Sequence, residues 1–99
     1  MDSIGVIWDL DDDPNGNVQH IGQHGVTKEE VEEVLDSRYG EYFISREEPH
    51  NPITFGETTT GKYIAVLFEI VDPVQPIVRP ITAFEATRPA KPKKGKRKR

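Results

Sequence analysis

Two strand-like segments joined by a short turn place the strongest constraint on how this chain can fold. The segments "ITFGET" (53–58) and "KYIAVLFEIV" (62–71) are rich in β-branched and aromatic residues, and "TTG" separates them. Gly61 permits the tight turn that two antiparallel neighbours require. The sequence therefore predicts a hairpin within an antiparallel sheet.

Three other segments predict strands that extend this sheet. "SIGVIWDL" (3–10) and "EYFISRE" (41–47) precede the hairpin, and "IVRPITAFE" (77–85) follows it. All three are rich in the residues that favour strands. Within the last segment, Pro80 marks a sheet edge or a bulge, because proline has no N–H to donate to a neighbouring strand.

The N-terminal part of the chain predicts two helices between the first strand and the hairpin. "VTKEEVEEVLDSR" (26–38) opens with a T-x-x-E capping box, and its apolar residues recur at helical spacing. A shorter helix is predicted from Val18 to His24, with Asn17 as its N-cap after the turn-forming "DDDPNG". The order β-α-α-β-β-β, with three or four strands after the helices, predicts an α+β domain, an antiparallel sheet of about four strands with two N-terminal helices on one face.

Charged residues divide the chain of 99 residues into an acidic body and a basic tail. The last nine residues carry seven of the thirteen Lys and Arg residues, and all seventeen acidic residues precede them. We expect residues 1–88 to form a single domain and residues 89–99 to be a disordered basic tail. A basic tail attracts a phosphate backbone, whereas an acidic body repels one. Weak nucleic-acid contact is therefore predicted for Lys91, Lys93, Lys94, Lys96, Arg97, Lys98 and Arg99.

The composition also bears on compartment and redox chemistry. The chain has no cysteine, which excludes disulfides and thiol chemistry. No stretch approaches the roughly 20 apolar residues of a membrane span, and the N-terminus lacks the basic and apolar pattern of a signal peptide. We expect a cytoplasmic protein that makes no membrane contact.

Two patterns between the first strand and the second helix suggest metal binding, and neither is complete. From Asp11 the chain spells D-x-D-x-N-G, the opening of an EF-hand calcium loop, but Gly22 replaces the bidentate glutamate that should end the loop. His20 and His24 form an H-x-x-x-H pair, yet zinc needs three or four ligands and the only other histidine is His50. We therefore expect no metal and no cofactor. The two imidazoles remain candidates for structural packing, or for proton transfer and phosphate contact.

Several motifs, taken in their order along the chain, resemble one known family. They are "WD" in the first predicted strand, "NVQHIGQHGVTKEEVEEVL", "FGETTTGKYIAVLFE" and "PITAFEAT", which together span residues 7–87. The pattern is similar to that of the BrnT-like toxins of type II toxin-antitoxin systems. This resemblance implies a small RelE-like α+β ribonuclease that blocks translation without a metal. It also implies a cognate antitoxin protein that neutralises the toxin and binds operator DNA.

The resemblance further implies which residues act on RNA. Asp9 and the two histidines match the N-terminal pattern, Lys62 stands where the family has arginine, and Arg79 lies on the strand before T-A. Phe84 follows this T-A where the toxins carry a second arginine, and phenylalanine cannot stabilise a developing phosphorane charge. The candidate catalytic residues are therefore His20, His24, Lys62 and Arg79, with Arg46 as a further cation.

Two hypotheses about function follow from these observations. Metal-independent RNA cleavage needs a base for the 2′-hydroxyl, a cation for the phosphate and an acid for the leaving group. The first hypothesis is a toxin-family endoribonuclease whose activity is weakened or lost through Phe84. The second is a non-catalytic interaction module of the same fold, which binds a partner protein, or nucleic acid through its tail.

Overall fold

Seven elements follow one another in the computed structural model, which describes residues 4–38, 40–44 and 51–88. In chain order they are β1 (Gly5–Val6), α1 (Asn17–Gln23), α2 (Lys28–Arg38), β2 (Phe43–Ile44), β3 (Pro52–Glu57), β4 (Tyr63–Asp72) and β5 (Ile77–Glu85). The α+β class and the order of the elements confirm the prediction. The tail from residue 89 onwards lies outside the described residues.

The strands form one sheet in the order β1-β5-β4-β3-β2. β3 and β4 are the predicted hairpin, closed by a turn in which Gly61 has a φ of 92°. β4 also pairs antiparallel with β5, and Ile81 is the extra residue of a bulge beside Pro80, because Leu67 faces Thr82 while Phe68 faces Pro80. The prediction of a bulge at this proline is confirmed.

The prediction that all strands are antiparallel is wrong for β1, which runs parallel to β5. About seventy residues separate these two strands, so no hairpin turn fixes their relative direction. β1 is also shorter than predicted. The N–H of Ile7 still bonds to the Val78 carbonyl, but in this register the next donor would be residue 80, and Pro80 has no N–H.

Both helices lie on one face of the sheet and share one hydrophobic core with it. Alternate residues of β4 point to the helices, as the period of two in a strand requires. The core is formed by Ile21 of α1, by Val31, Val34 and Leu35 of α2, and by Ile64, Val66, Phe68, Val78 and Ala83 of the sheet. Gly56 of β3 allows α2 to approach closely, because a Cβ there would lie 3.0 Å from Cγ1 of Val34.

The ends of the helices are set by local hydrogen bonds. The predicted capping box of α2 is present: the Glu30 N–H donates to Thr27 Oγ1, and the Thr27 N–H donates to Glu30 Oε1. α1 ends in a Schellman motif, in which Gly25 has a φ of 76° and the Val26 N–H bonds to the Ile21 carbonyl. Neither helix could cross a membrane, and no other helix occurs in the described part of the chain.

Candidate functional site

A pair of reciprocal hydrogen bonds joins the end of the first strand region to the start of α1. The Asp9 N–H donates to Asn17 Oδ1 over 2.9 Å, and the Asn17 N–H donates to Asp9 Oδ2 over 2.8 Å. Gly16 lies against this pair with no room for a side chain, since a Cβ there would be 2.7 Å from the Asp9 Cβ. The turn "DDDPNG" therefore brings Asp9 and Asn17 together, and the two hydrogen bonds between them fix the position of the Asp9 carboxylate.

Asn17 joins several parts of this region by hydrogen bonds, and it is not the predicted N-cap. The N-cap of α1 is Gly16, and Asn17 is the first helical residue, with only 4% of its surface exposed. Its amide group donates to the Ile7 carbonyl over 3.1 Å and to the Pro80 carbonyl over 3.0 Å. The side chain thus supplies the Ile7 carbonyl with the donor that Pro80 lacks, and it fastens α1 to both β1 and β5.

Arg79 of β5 reaches the same carboxylate. Its Nη2 donates to Asp9 Oδ2 over 2.7 Å, and both side chains are partly exposed. The Asn17 N–H and then the Arg79 guanidinium stabilise the charged carboxylate more than partial burial opposes it, so they lower the pKa of Asp9 below its ordinary value of 3.8. Asp9 therefore remains ionised, and it neutralises Arg79 across the whole neutral pH range.

His20 and Arg79 line one cleft, although they lie far apart in sequence. The cleft has a volume of about 240 Å³ and also contacts Asn15, Gly16 and Ile81. The His24 ring lies on the next turn of the chain, with its centroid 5.2 Å from that of His20. The Phe84 ring centroid is 6.4 Å from that of His24. Three of the four candidate catalytic residues are thus neighbours, and Phe84 borders them.

Lys62 lies at the other end of α1 and is bound to structural groups. Its Nζ donates to the Gly25 carbonyl over 2.6 Å and to Glu30 Oε1 over 3.2 Å. Glu30 is 5% exposed, and its carboxylate also accepts hydrogen bonds from Thr60 and from the Thr27 N–H. Lys62 therefore ties the end of α1 to the start of α2, and its charge is paired with a buried carboxylate.

Residues of the incomplete calcium-loop pattern form local bonds instead. Asp11 forms an ion pair with Lys28 at 2.9 Å, and the Asp13 carboxylate accepts the Asn15 N–H at 2.9 Å. Within residues 4–38, 40–44 and 51–88, no group of three histidine, aspartate or glutamate side chains is arranged to hold a metal ion. Arg46, His50 and the seven basic residues of the tail lie outside the described residues.

An aromatic groove on the face of the sheet opposite the helices was not predicted. Phe55 and Tyr63 stack with ring centroids 6.0 Å apart, and Arg88 lies over Tyr63 at 5.9 Å. Phe43, 67% exposed, lines the same groove of about 450 Å³, together with Arg38. Strand periodicity is the signal that indicates it, because Phe55 alternates with Thr54 and Gly56, which face α2.

Comparisons of the chain with family models, with curated proteins and with solved structures find no match. The candidate site is therefore defined by its own geometry. It consists of a cleft between α1 and β5 that His20 and Arg79 line, with the His24 ring beside His20 and the Asp9 carboxylate bound to Arg79.

Proposed function

We propose that this chain is a BrnT-like, metal-independent endoribonuclease of a type II toxin-antitoxin system, with weakened activity. The observation that supports the proposal is the shared cleft of His20 and Arg79, with His24 beside it. An imidazole can transfer protons and a guanidinium can bind phosphate, so residues of the two types that metal-independent RNA cleavage needs share this cleft. The protein would act on RNA in the cytoplasm, and a cognate antitoxin protein would be its partner.

In the proposed reaction, one imidazole removes the proton from a ribose 2′-hydroxyl, and the 2′-oxygen attacks the adjacent phosphorus. The bond from phosphorus to the 5′-oxygen breaks, and the second imidazole gives a proton to that oxygen. The products are a 2′,3′-cyclic phosphate and a free 5′-hydroxyl, so the protons and electrons balance without a metal. His20 is the base in this scheme because it shares the cleft with Arg79, and His24 is the acid.

Two contacts support the proposal that the activity is weakened. Arg79 is already paired with Asp9, so part of its charge is unavailable to a phosphate. Phe84 stands where the family pattern has arginine, and its ring borders His24 at 6.4 Å between centroids. An arginine at this position would add a second cation next to the imidazoles. The loss of one such group from a reacting centre costs about a hundredfold in rate.

The proposal is tested with purified full-length protein and a fluorogenic single-stranded RNA in EDTA. We expect slow cleavage that yields 2′,3′-cyclic phosphate ends, and an RNA with a single 2′-deoxy linkage should resist at that linkage. Arg79→Ala should lower the rate about a hundredfold. Arg88→Ala is the matched control, since Arg88 is also paired with a carboxylate, Glu57, but lies on the aromatic groove.

Phe84→Arg supplies a test in the opposite direction. If the missing cation limits the reaction, this variant should cleave about tenfold to a hundredfold faster and should slow growth more strongly when induced in bacteria. The proposal is wrong if neither the natural sequence nor Phe84→Arg cleaves RNA. It is also wrong if cleavage persists at the same rate after Arg79→Ala and His20→Ala.

The aromatic groove favours a second candidate function, a non-catalytic interaction module. Phe43, Phe55 and Tyr63 expose contiguous aromatic surface of the kind found at the centres of protein interfaces. A module of this type would lose its partner protein on Phe43→Ser and would keep it on Arg79→Ala. The reverse pattern, with activity lost on Arg79→Ala alone, favours the ribonuclease.

A further inference from the structure

The contact between Arg79 and Asp9 leaves much of the guanidinium group free. In the described part of the chain, Arg79 donates to Asp9 through Nη2 alone. The second bond of a two-point pair between a guanidinium and a carboxylate is not made. A guanidinium carries five N–H donors in a planar fork. The remaining donors of Arg79 can therefore bind a second anion, while the Asp9 charge 2.7 Å away opposes its binding.

Asp9 is placed by groups other than Arg79. Its Oδ2 accepts the Asn17 N–H, its own N–H bonds to Asn17 Oδ1, and Gly16 packs against its Cβ. Asn17 is in turn buried and bonded to two strand carbonyls. The carboxylate is thus held at this position by the α1 turn, and it would remain there if the guanidinium moved away.

Arg79 lines the cleft that also contains His20. Carboxylate and phosphate oxygens are the same kind of acceptor for a guanidinium group, and both form short charge-assisted hydrogen bonds with it. We infer that Asp9 is a built-in competitor of substrate: it holds one donor of Arg79 and places a negative charge beside the donors that a phosphate-class anion would use in the cleft, and it thereby limits the affinity of the cleft for that anion. The ligand class rests on the proposed function, whereas the competition rests on the contacts alone.

The test removes the charge of Asp9 and keeps its shape. In Asp9→Asn the amide oxygen, at the position of Oδ2, can still accept both the Asn17 N–H and Arg79 Nη2, but the negative charge beside the other donors of Arg79 is gone. Full-length protein is titrated with inorganic phosphate and observed by NMR at the Arg79 Nε–H and at the His20 ring. We expect phosphate to bind Asp9→Asn about fivefold to tenfold more tightly than the natural sequence. Arg79→Ala should abolish the response at His20.

Glu69→Gln is the matched control for the loss of one negative charge near Arg79. Glu69 faces Arg79 in the pairing of β4 with β5, but no bond joins the two side chains in the described structure. This variant should change the phosphate affinity less than twofold. Melting curves of both variants check that the fold is kept, and Asn17 N–H exchange reports whether the turn remains closed in Asp9→Asn.

Three results would overturn the inference. Weaker phosphate binding in Asp9→Asn would mean that Asp9 orients Arg79 for the anion. Equal tightening in Asp9→Asn and Glu69→Gln would mean that only the general negative potential matters. A response at residues away from Arg79 and His20 would place the anion elsewhere. The inference stands without the proposed function if Asp9→Asn binds phosphate more tightly but no variant cleaves RNA, and it fails alone if Arg79-dependent cleavage occurs without that tightening.

Discussion

At the scale of single residues, Asn17 shows that the role of a side chain can depend on a partner far away in the sequence. Sequence favours asparagine before a helix because its side chain caps the first turn. In this protein the amide instead completes the hydrogen bonds of two strands, at the point where Pro80 ends their pairing. The requirement comes from a residue 63 positions later in the chain. Local sequence could indicate that Asn17 is important, but the partner at Pro80 depends on the tertiary fold.

The importance of Asn17 can be measured by substitution. Asn17→Ala leaves the Asp9 N–H and the carbonyls of Ile7 and Pro80 without this partner in a partly buried region. We expect a loss of about 2–3 kcal/mol in the free energy of unfolding, measured by urea denaturation. Asn17→Asp should be at least as damaging, because a carboxylate cannot donate to two carbonyls. Asn15→Ala, in the same exposed turn, should change stability by less than about 0.5 kcal/mol. A small effect at Asn17 would show that the turn opens without cost.

At the scale of elements, the junction of α1, α2 and the hairpin depends on Glu30. Sequence predicted the bond between Glu30 and Thr27, because a capping box is a local pattern. It did not predict that the same carboxylate binds Thr60 and Lys62, since these contacts require the hairpin to fold back against α2. The same distinction holds for the strands. The hairpin and the order of elements followed from local patterns, whereas the parallel pairing of β1 required knowledge of where the chain returns.

Glu30 should make the stability of the fold depend on pH in the acidic range. Burial alone would raise the pKa of Glu30, but hydrogen bonds from Thr60, the Thr27 N–H and Lys62 outweigh it and lower the pKa below its ordinary value of 4.5. Because the unfolded chain binds a proton more readily than the folded one, the stabilisation is complete above about pH 4.5 and is lost as pH falls through the folded pKa.

Glu30→Gln should therefore lower stability by about 1–3 kcal/mol at pH 7 and weaken the dependence on pH between about 5 and 3. The measurement is the melting temperature at a series of pH values. Glu29→Gln, an exposed residue of the same turn, serves as the control and should follow the natural protein. An unchanged pH profile in Glu30→Gln would assign acid sensitivity to other carboxylates, of which Asp9 is the first to test.

At the scale of the whole molecule, the candidate site combines what sequence could and could not predict. The resemblance indicated His20, His24 and Arg79, and the fold brings these three together at one end of the α1 to β5 contact. Sequence alone could not show that Asp9 and Glu30 neutralise the two nearby cations, because these pairs join residues 70 and 32 positions apart. The cations of the described body are thus paired with carboxylates at Arg79 and Lys62, so the proposed function requires that another part of the chain attracts RNA.

We expect that part to be the basic tail, residues 91–99. It holds seven of the thirteen basic residues, and binding of single-stranded RNA through it should weaken with salt by a slope of about −0.7 for each phosphate neutralised. Fluorescence anisotropy of a labelled single-stranded RNA, measured at several salt concentrations, should therefore give steep salt dependence for the full chain and almost none after deletion of residues 91–99. A tail of the same composition in scrambled order is the control, and it should bind as the natural tail does, because the attraction depends on charge and not on sequence.

Binding that survives the deletion would require a basic groove on the body, and the carboxylates on Arg79 and Lys62 argue against one at the α1 to β5 cleft. If the deletion abolishes binding but leaves Arg79-dependent cleavage at high RNA concentration, the tail captures RNA and the cleft cleaves it.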